Sequence, residues 1–260
     1  MSDILKLSCS KVKLYSDCQK KFYFAYILKL PRKEFDYHIL GKCVHSILET
    51  FHLALINGSN DPLNKIMSDA YSKIIEENKH KLKPEMLKDA YDIIDKYLEN
   101  ITSDKHIIKN ILAVEKNFNI KLKENVYLNG MIDRIQIDKD GVLNVIDYKT
   151  TKNKKYLKND FFQLLTYAYV LLQEDPSIER ARGSYILLKH NCERIVKEFS
   201  KEEILEIKKQ YEDYAEKILN ENLYRPNPNR LCSYCEYLDK CPEGQAFVNA
   251  NIKKFGQVSW

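Results

Sequence analysis

Glycine is scarce in this 260-residue sequence, which contains only seven. None of them forms a GxxxxGK[ST] or GxGxxG pattern, so the common nucleotide-hydrolysing and dinucleotide-binding motifs are excluded. The sequence also lacks an apolar run of about eighteen residues, and its first residues lack the apolar core of a secretion signal. We therefore expect a cytoplasmic protein with no membrane segment and no membrane partner.

Charge of one sign is not in large excess either. The chain has 42 Lys and Arg against 37 Asp and Glu, which gives a formal net charge of +5. This balance permits a nucleic-acid partner but does not require one. The hydrophobic content of 44% is enough for a sizeable core and excludes wholesale disorder. We predict a single domain over residues 1–260, with a helical insertion over 61–110.

The seven cysteines are an odd number, and no secretion signal accompanies them, so a disulfide framework is not expected. Cys232, Cys235 and Cys241 are close enough in sequence to bind one metal centre. A fourth ligand has to come from elsewhere in the chain. Four thiolates can hold either a [4Fe–4S] cluster or a zinc ion, and the spacing alone does not separate the two.

Hydrophobic periodicity predicts helices around a central group of strands. Apolar residues at three- and four-residue steps predict a helix over 41–56, and residues 61–110 have the pattern of two or three surface helices. A short helix should begin near Ser8. The Pro- and Cys-rich segment from Arg225 onward is expected to be a loop. Strands are predicted over 112–122, 127–138, 142–148, 184–189 and 194–199, and further helices over 160–172 and from Ser200, whose partner Glu203 completes a capping box.

The hairpin of the second and third predicted strands carries charged residues on faces that are otherwise apolar. Side chains alternate along a strand, so Asp147 and Lys149 share a face. Gly141 in the third position of a three-residue turn predicts the register that places Asp133 directly across from Asp147. Like charges that close repel each other unless a divalent cation lies between them. The alternative is a set of salt bridges in which either Asp pairs with Lys149 or Arg134.

Four sequence blocks, in order, resemble the PD-(D/E)XK nuclease superfamily and its RecB-type branch. They are residues 41–45 ending at His45, 130–135 with Asp133, 145–150 with Asp147 and Lys149, and 163–167 with Gln163 and Tyr167. Cys18 and the three C-terminal cysteines resemble the cysteine blocks of the iron–sulfur members of this branch. Those members include the nuclease domain of AddB-type recombination proteins and CRISPR-associated single-strand exonucleases. One departure is Gln19, which stands where members often have Pro.

The resemblance implies an α/β fold with a mixed central sheet flanked by helices. It also implies an iron–sulfur subdomain built from residues 1–30 and 225–260. In that subdomain a [4Fe–4S] cluster is favoured over zinc by the family pattern. The implied cluster ligands are Cys18, Cys232, Cys235 and Cys241.

The resemblance further implies a divalent-cation site for Mg²⁺ or Mn²⁺. Its implied ligands are His45, Asp133, Asp147 and the carbonyl of Tyr148. Lys149 would orient the attacking water, and Gln163 and Tyr167 would position Lys149 or a DNA phosphate. Glu115 either contacts the metal through water or belongs to the solvated face of its strand.

The implied function is a metal-dependent DNA nuclease, an exonuclease acting on single-stranded DNA in a prokaryotic cell or its virus-infected host. Because the chain has no nucleotide-binding motif, a helicase or CRISPR integrase partner would be supplied in trans. The first alternative is a nuclease subunit that works only with such a partner. The second is a non-catalytic iron–sulfur protein that binds DNA.

Overall fold

The computed structural model describes residues 4–102 and 110–255. Part of the predicted insertion (103–109) and the ends of the predicted iron–sulfur subdomain (1–3 and 256–260) therefore lie outside the described residues. The strands are β1 (Leu5–Leu7), β2 (Ile111–Lys123), β3 (Val126–Ile137), β4 (Leu143–Lys149), β5 (Arg180–Leu187) and β6 (Glu193–Ser200). The α-helices are α1 (Cys9–Asp17), α2 (Gln19–Phe22), α3 (Asp36–Ile56), α4 (Leu63–Asn78), α5 (Pro84–Thr102), α6 (Phe162–Glu174), α7 (Lys201–Leu219) and α8 (Pro242–Phe255).

Strand β3 is the centre of a six-stranded mixed sheet. β2 pairs with it antiparallel along one edge, and β1 and β4 share the other edge. Beyond β4 the sheet continues with β5, which is parallel to β4, and ends at β6, which is antiparallel to β5. The predicted α/β fold, a mixed central sheet flanked by helices, is confirmed.

The hairpin turn between β3 and β4 adopts the predicted register. Gly141 has a φ of +78°, in the left-handed region that glycine enters without strain. Its N–H donates to the carbonyl of Asp138 at 2.9 Å, and the Asp138 N–H donates to the carbonyl of Val142 at 2.9 Å. The paired residues run from Ile137 opposite Leu143 to Arg134 opposite Ile146. One step further in the same register, Asp133 lies across from Asp147.

The sheet separates two hydrophobic cores, because successive side chains of a strand point to opposite faces. In β4, for example, Val145 belongs to the core with α6 and α7, whereas Ile146 belongs to the core with α3, α4 and α5. Helices α4 and α5, which lie in the predicted insertion, therefore each bury one face in the second core. Residues such as Ile93 and Tyr97 of α5 are buried against α3 and the sheet, and each buried side chain of this size contributes about 1.5–3 kcal/mol.

One prediction from the sequence needs correction, and one strand was missed. The segment after Arg225 was expected to be a loop, but it contains two short 3₁₀ turns and the fourteen-residue helix α8. Pro242 suits the first turn of that helix, where a missing N–H costs nothing. The missed strand is β1, because three residues are too few for a periodic pattern.

Helix α3 is the one helix of the described residues that is long and apolar enough to cross a membrane by length and composition alone. The lack of a continuous apolar run does not by itself exclude a membrane-spanning helix. In this fold the apolar face of α3, with Ile47 and Phe51, is buried in the second core. The composition of α3 has a sufficient explanation in that packing.

Candidate active site

Two aspartates converge where the pairing of β3 and β4 ends. Asp133 is 8% exposed and Asp147 is 2% exposed, so both carboxylates are removed from bulk water. The N–H of Tyr148 donates to Oδ2 of Asp133 at 2.8 Å. Oδ2 of Asp147 lies 2.6 Å from the ammonium of Lys149, yet it receives no hydrogen bond of acceptable geometry. A buried carboxylate oxygen with incomplete hydrogen bonding is suited to a cation.

Helix α3 brings His45 to these carboxylates. Gly41, one turn before His45, allows close approach: a Cβ added there would lie 3.2 Å from Oγ1 of Thr150, just after β4. Nε2 of His45 donates to the carbonyl of Tyr148 at 3.0 Å, because that carbonyl can only accept. Nδ1 then faces Oδ2 of Asp133 at 3.4 Å. A proton or a cation is needed between those two acceptor atoms.

Glu115 completes a group of possible metal ligands. Ligand atoms of His45, Glu115 and Asp133 all lie within 4.8 Å of one another. Val114 pairs with Arg134 and Lys116 with Ile132, so Glu115 is placed opposite Asp133 in the β2–β3 ladder. Its φ is +45°, an uncommon conformation for a non-glycine residue and one that is often found at functional sites. Of the two roles left open by the sequence, the position near the metal ligands is the one that the structure favours.

The carboxylates of this group retain protons more strongly than usual. Burial, and secondarily the charge of Asp147, raises the pKa of Asp133 from 3.8 to about 6. Burial, followed by the charges of Asp133 and Glu49, raises the pKa of Glu115 from 4.5 to about 8. Crowded, desolvated carboxylates have such values when no cation balances their charge.

A chain of hydrogen bonds holds Lys149. Its ammonium donates to Oε1 of Gln163 at 2.8 Å, and Nε2 of Gln163 donates to Oη of Tyr167 at 2.7 Å. Gln163 and Tyr167 are four residues apart on α6 and therefore share a face. The ammonium also lies 5.1 Å from the ring centre of Tyr185 on β5. The lysine is thus fixed between Asp147 and α6, and both the predicted contact with Gln163 and the Lys149–Asp147 ion pair are present.

Tyr148 links the site to the core behind it. Its backbone contacts Asp133 and His45, while its hydroxyl is 3.0 Å from Oη of Tyr97 on α5. Arg134, which is fully buried, donates to that same Tyr97 oxygen at 2.6 Å. Two further guanidinium nitrogens, Nε and Nη2, have no hydrogen-bond partner among the described residues. The predicted alternative in which Arg134 neutralises one of the two aspartates is therefore not observed, since Arg134 lies on the opposite face of β3.

The site opens into a groove of about 1570 Å³. Asp133, Asp147 and Lys149 lie along it, and it extends past the start of α3 to residues 230–236. Its lining includes seven basic residues and four acidic ones, two of which are the site aspartates. The basic residues are Arg32, Lys33, Lys42, Lys149, Lys152, Lys189 and Arg230. This groove is large enough and basic enough to hold a polyanion.

The four candidate cysteine ligands also come together. Cys18, Cys232, Cys235 and Cys241 line one cavity, formed by the start of α2 and the segment that includes both 3₁₀ turns. The backbone N–H of Asn229 donates to Sγ of Cys232 at 3.3 Å. Burial raises the pKa of the Cys235 and Cys241 thiols, while backbone hydrogen bonds at both sulfurs act in the opposite direction. N–H donors directed at sulfur favour a thiolate ligand.

Comparison with known proteins agrees with this architecture. The sequence profile of the PD-(D/E)XK nuclease superfamily matches residues 6–242. One subunit of the ATP-dependent helicase/deoxyribonuclease of Clostridium perfringens strain SM101 is 30% identical over 211 residues, which are 67% of this chain and 18% of that protein. The subunit of the same name from Streptococcus pyogenes serotype M3 is 25% identical over 184 residues, covering 66% of this chain and 17% of that protein.

A solved structure from Eubacterium rectale, provisionally named an exonuclease, superimposes with a TM-score of 0.54. The match covers 89% of this chain and 87% of that one at 12% identity, so it supports the fold alone. The profile match over residues 6–242 defines the class of this protein as a nuclease. This chain belongs to the PD-(D/E)XK nuclease superfamily. It spans about 18% of the length of the curated relatives that it matches.

Sequence reasoning identified most of the side chains that meet here. It did not find Tyr97 or Tyr185, because both lie outside the four motif blocks. Their sequence pattern is that of ordinary core aromatic residues. It also missed Glu49, whose charge acts on Glu115. The position of Glu49 one turn after His45 on α3 was the only available signal.

Proposed function

We propose that this chain hydrolyses DNA with the help of a divalent cation, Mg²⁺ or Mn²⁺. The observation that carries the proposal is the group of His45, Glu115 and Asp133, with ligand atoms within 4.8 Å, next to Asp147 and Lys149. The residues fit a cation: burial raises the pKa of both Asp133 and Glu115, and Asp147 is only 2% exposed. His45, Asp133, Asp147 and the carbonyl of Tyr148 would hold the ion.

Such a cation, when bound, polarises a phosphoryl oxygen and lowers the pKa of a coordinated water. The side chains supply the rest. Lys149 places a positive charge beside the phosphate and stabilises the negative charge that grows there during attack. Gln163 positions Lys149, and Tyr167 positions Gln163. Glu115 accepts or holds a proton beside Asp133.

Added Mn²⁺ is expected to stabilise the protein more at about pH 8 than at about pH 5. Since the pKa values of Asp133 and Glu115 are raised on folding, the folded chain keeps protons that the unfolded chain releases. Without a cation, stability therefore falls as the pH rises, between about 4 and 6 through Asp133 and between about 4.5 and 8 through Glu115. Thermal melts with and without Mn²⁺ at both pH values measure the difference.

Asp133→Asn should remove most of this pH-dependent gain, whereas Asp213→Asn, an exposed change on α7, should leave it intact. An equal Mn²⁺ effect at both pH values would argue against a cation at these carboxylates.

We propose single-stranded DNA as the substrate and hydrolysis from an end as the mode of action. The basic groove that contains Lys149 supports this proposal. The purified chain should degrade linear single-stranded DNA with Mn²⁺ or Mg²⁺ and should be inactive in EDTA. Circular single strands and blunt duplexes of equal length should be degraded at least tenfold more slowly. Rapid cleavage of the circles would show an endonuclease, and unchanged activity in EDTA would exclude the cation mechanism.

The four cysteines are proposed to hold a [4Fe–4S] cluster. Their shared cavity and the N–H donors at sulfur support a metal centre there. Four thiolates can hold either a [4Fe–4S] cluster or zinc. The resemblance of the cysteine blocks to those of iron–sulfur nucleases favours the cluster.

A second candidate function is that of a nuclease subunit assisted by a helicase. The curated relatives are named as subunits of an ATP-dependent helicase/deoxyribonuclease, and this chain has no nucleotide-binding motif of its own. Robust activity of the purified chain alone would favour the free nuclease. A CRISPR integrase partner, a cytoplasmic location and the non-catalytic alternative remain predictions from the sequence.

A further inference from the structure

The lining of the groove includes three large apolar side chains that are more than half exposed. They are Tyr37, Leu231 and Tyr234, which are 55%, 57% and 59% exposed. Single exposed apolar side chains are ordinary, but three along one concave surface indicate a ligand. We refer to these three residues as the aromatic wall.

The aromatic wall is built from two distant parts of the chain. Tyr37 lies in the first turn of α3 and stacks on Phe35, with ring centres 5.4 Å apart and planes at 8°. Leu231 and Tyr234 lie on the 3₁₀ turn that also carries Cys232. That turn is held by Asn229, whose side chain accepts the N–H of Leu231 at 2.8 Å. Both tyrosines are therefore presented by ordered backbone.

Charge around the wall indicates the kind of ligand. Arg32, Lys33 and Arg230 also line the groove, and Arg230 lies on the same 3₁₀ turn as Tyr234. Apart from the two site aspartates, the acidic residues of the lining are Glu34, which pairs with Lys42 at 2.5 Å, and Glu236, which pairs with Lys21 at 2.5 Å. A ligand that offers flat apolar faces together with negative charges matches this surface. Nucleobases joined by phosphates have both properties.

We propose that Tyr234 and Tyr37 stack on unpaired bases of the DNA strand whose phosphate lies at Lys149. This inference rests on the proposed function and names the residues that select its substrate. The faces of bases inside a duplex are covered by their neighbours, so only a single strand can use the aromatic wall. The 3₁₀ turn beside the cysteine cavity thereby contacts substrate directly.

Binding without hydrolysis tests this proposal. Fluorescence anisotropy would use Asp147→Asn protein in EDTA with a labelled single-stranded oligonucleotide, and with an abasic oligonucleotide of the same length. Tyr234→Ala should raise the Kd for the normal strand about tenfold. Tyr234→Phe should bind like the parent, because it keeps the ring. On the abasic strand, Tyr234→Ala and the parent should have equal Kd values.

Tyr91→Ala is the matched control, since Tyr91 is also 55% exposed but lies on α5, away from the lining of the groove. It should not change either Kd. Tyr37→Ala provides a second variant if Tyr234→Ala fails to fold. Unchanged binding by a folded variant, or an equal loss on the abasic strand, would overturn the proposal. Because no divalent cation is present, this result does not depend on whether the chain hydrolyses DNA.

Discussion

Lys149→Ala is expected to lower kcat for DNA hydrolysis by on the order of 10³-fold, with a much smaller change in KM. The ammonium is fixed at 2.6 Å from Asp147 and 2.8 Å from Gln163, so its charge is already oriented before the substrate arrives. Such a preorganised charge stabilises the transition state more than the bound substrate. Steady-state kinetics on labelled single-stranded DNA with saturating Mn²⁺ would measure both parameters.

Variants around Lys149 sharpen this test. Gln163→Ala should lower kcat by only about tenfold, because the lysine remains but loses one of its two fixing contacts. Lys149→Arg should not restore activity, since a planar guanidinium cannot replace a compact ammonium at this position. Lys209→Ala removes an exposed lysine of α7 and should have no effect. If folded Lys149→Ala retained a third or more of the parent kcat, the lysine would have no catalytic role.

Cys235→Ser is expected to remove the metal centre and to lower Tm by about 10 °C or more. A structural metal site stabilises the folded state by several kcal/mol, and each kcal/mol changes Tm by about 2–4 °C in a chain of this size. The affected region includes α2, the segment with both 3₁₀ turns and the start of α8, which meet at the cysteine cavity. Iron, sulfide and zinc analysis of anaerobically purified protein, together with its visible absorption and thermal melt, gives the result.

Cys192→Ala is the control for this experiment, because Cys192 is a buried cysteine in the second core, away from the cavity. It should leave the metal content unchanged despite a modest loss of stability. Stoichiometric zinc without sulfide would identify the zinc alternative. Parent protein without any bound metal, with a Tm equal to that of Cys235→Ser, would contradict a metal centre at these cysteines.

The local parts of the fold could be predicted because their causes are local. Gly141 fixed the hairpin register through the backbone conformation that its turn requires, and the register aligned Asp133 with Asp147. Ser200 and Glu203 predicted the start of α7, and both hydrogen bonds of the capping box are present. Helical spacing predicted the shared face of Gln163 and Tyr167.

Features that depend on long-range packing could not be predicted in this way. The buried contact of Arg134 with Tyr97 joins β3 to α5, and no local pattern indicates it. The positive φ of Glu115 depends on how β2 meets β3. Helix α8 was missed because the Pro and Cys content of the segment after Arg225 favoured a loop. Pro242 nevertheless suits a helix start.

The cysteine cavity also constrains how this chain can be made. Its lining combines Cys18 with residues from Pro226 to Gly244, so the pocket cannot form until the chain has been synthesised as far as Gly244. During translation Cys18 emerges long before the other cysteines, because strands β2 to β6 are synthesised between them. Insertion of a metal group at these thiols would therefore follow synthesis of the sheet, and a nascent chain stalled within the sheet could not acquire it.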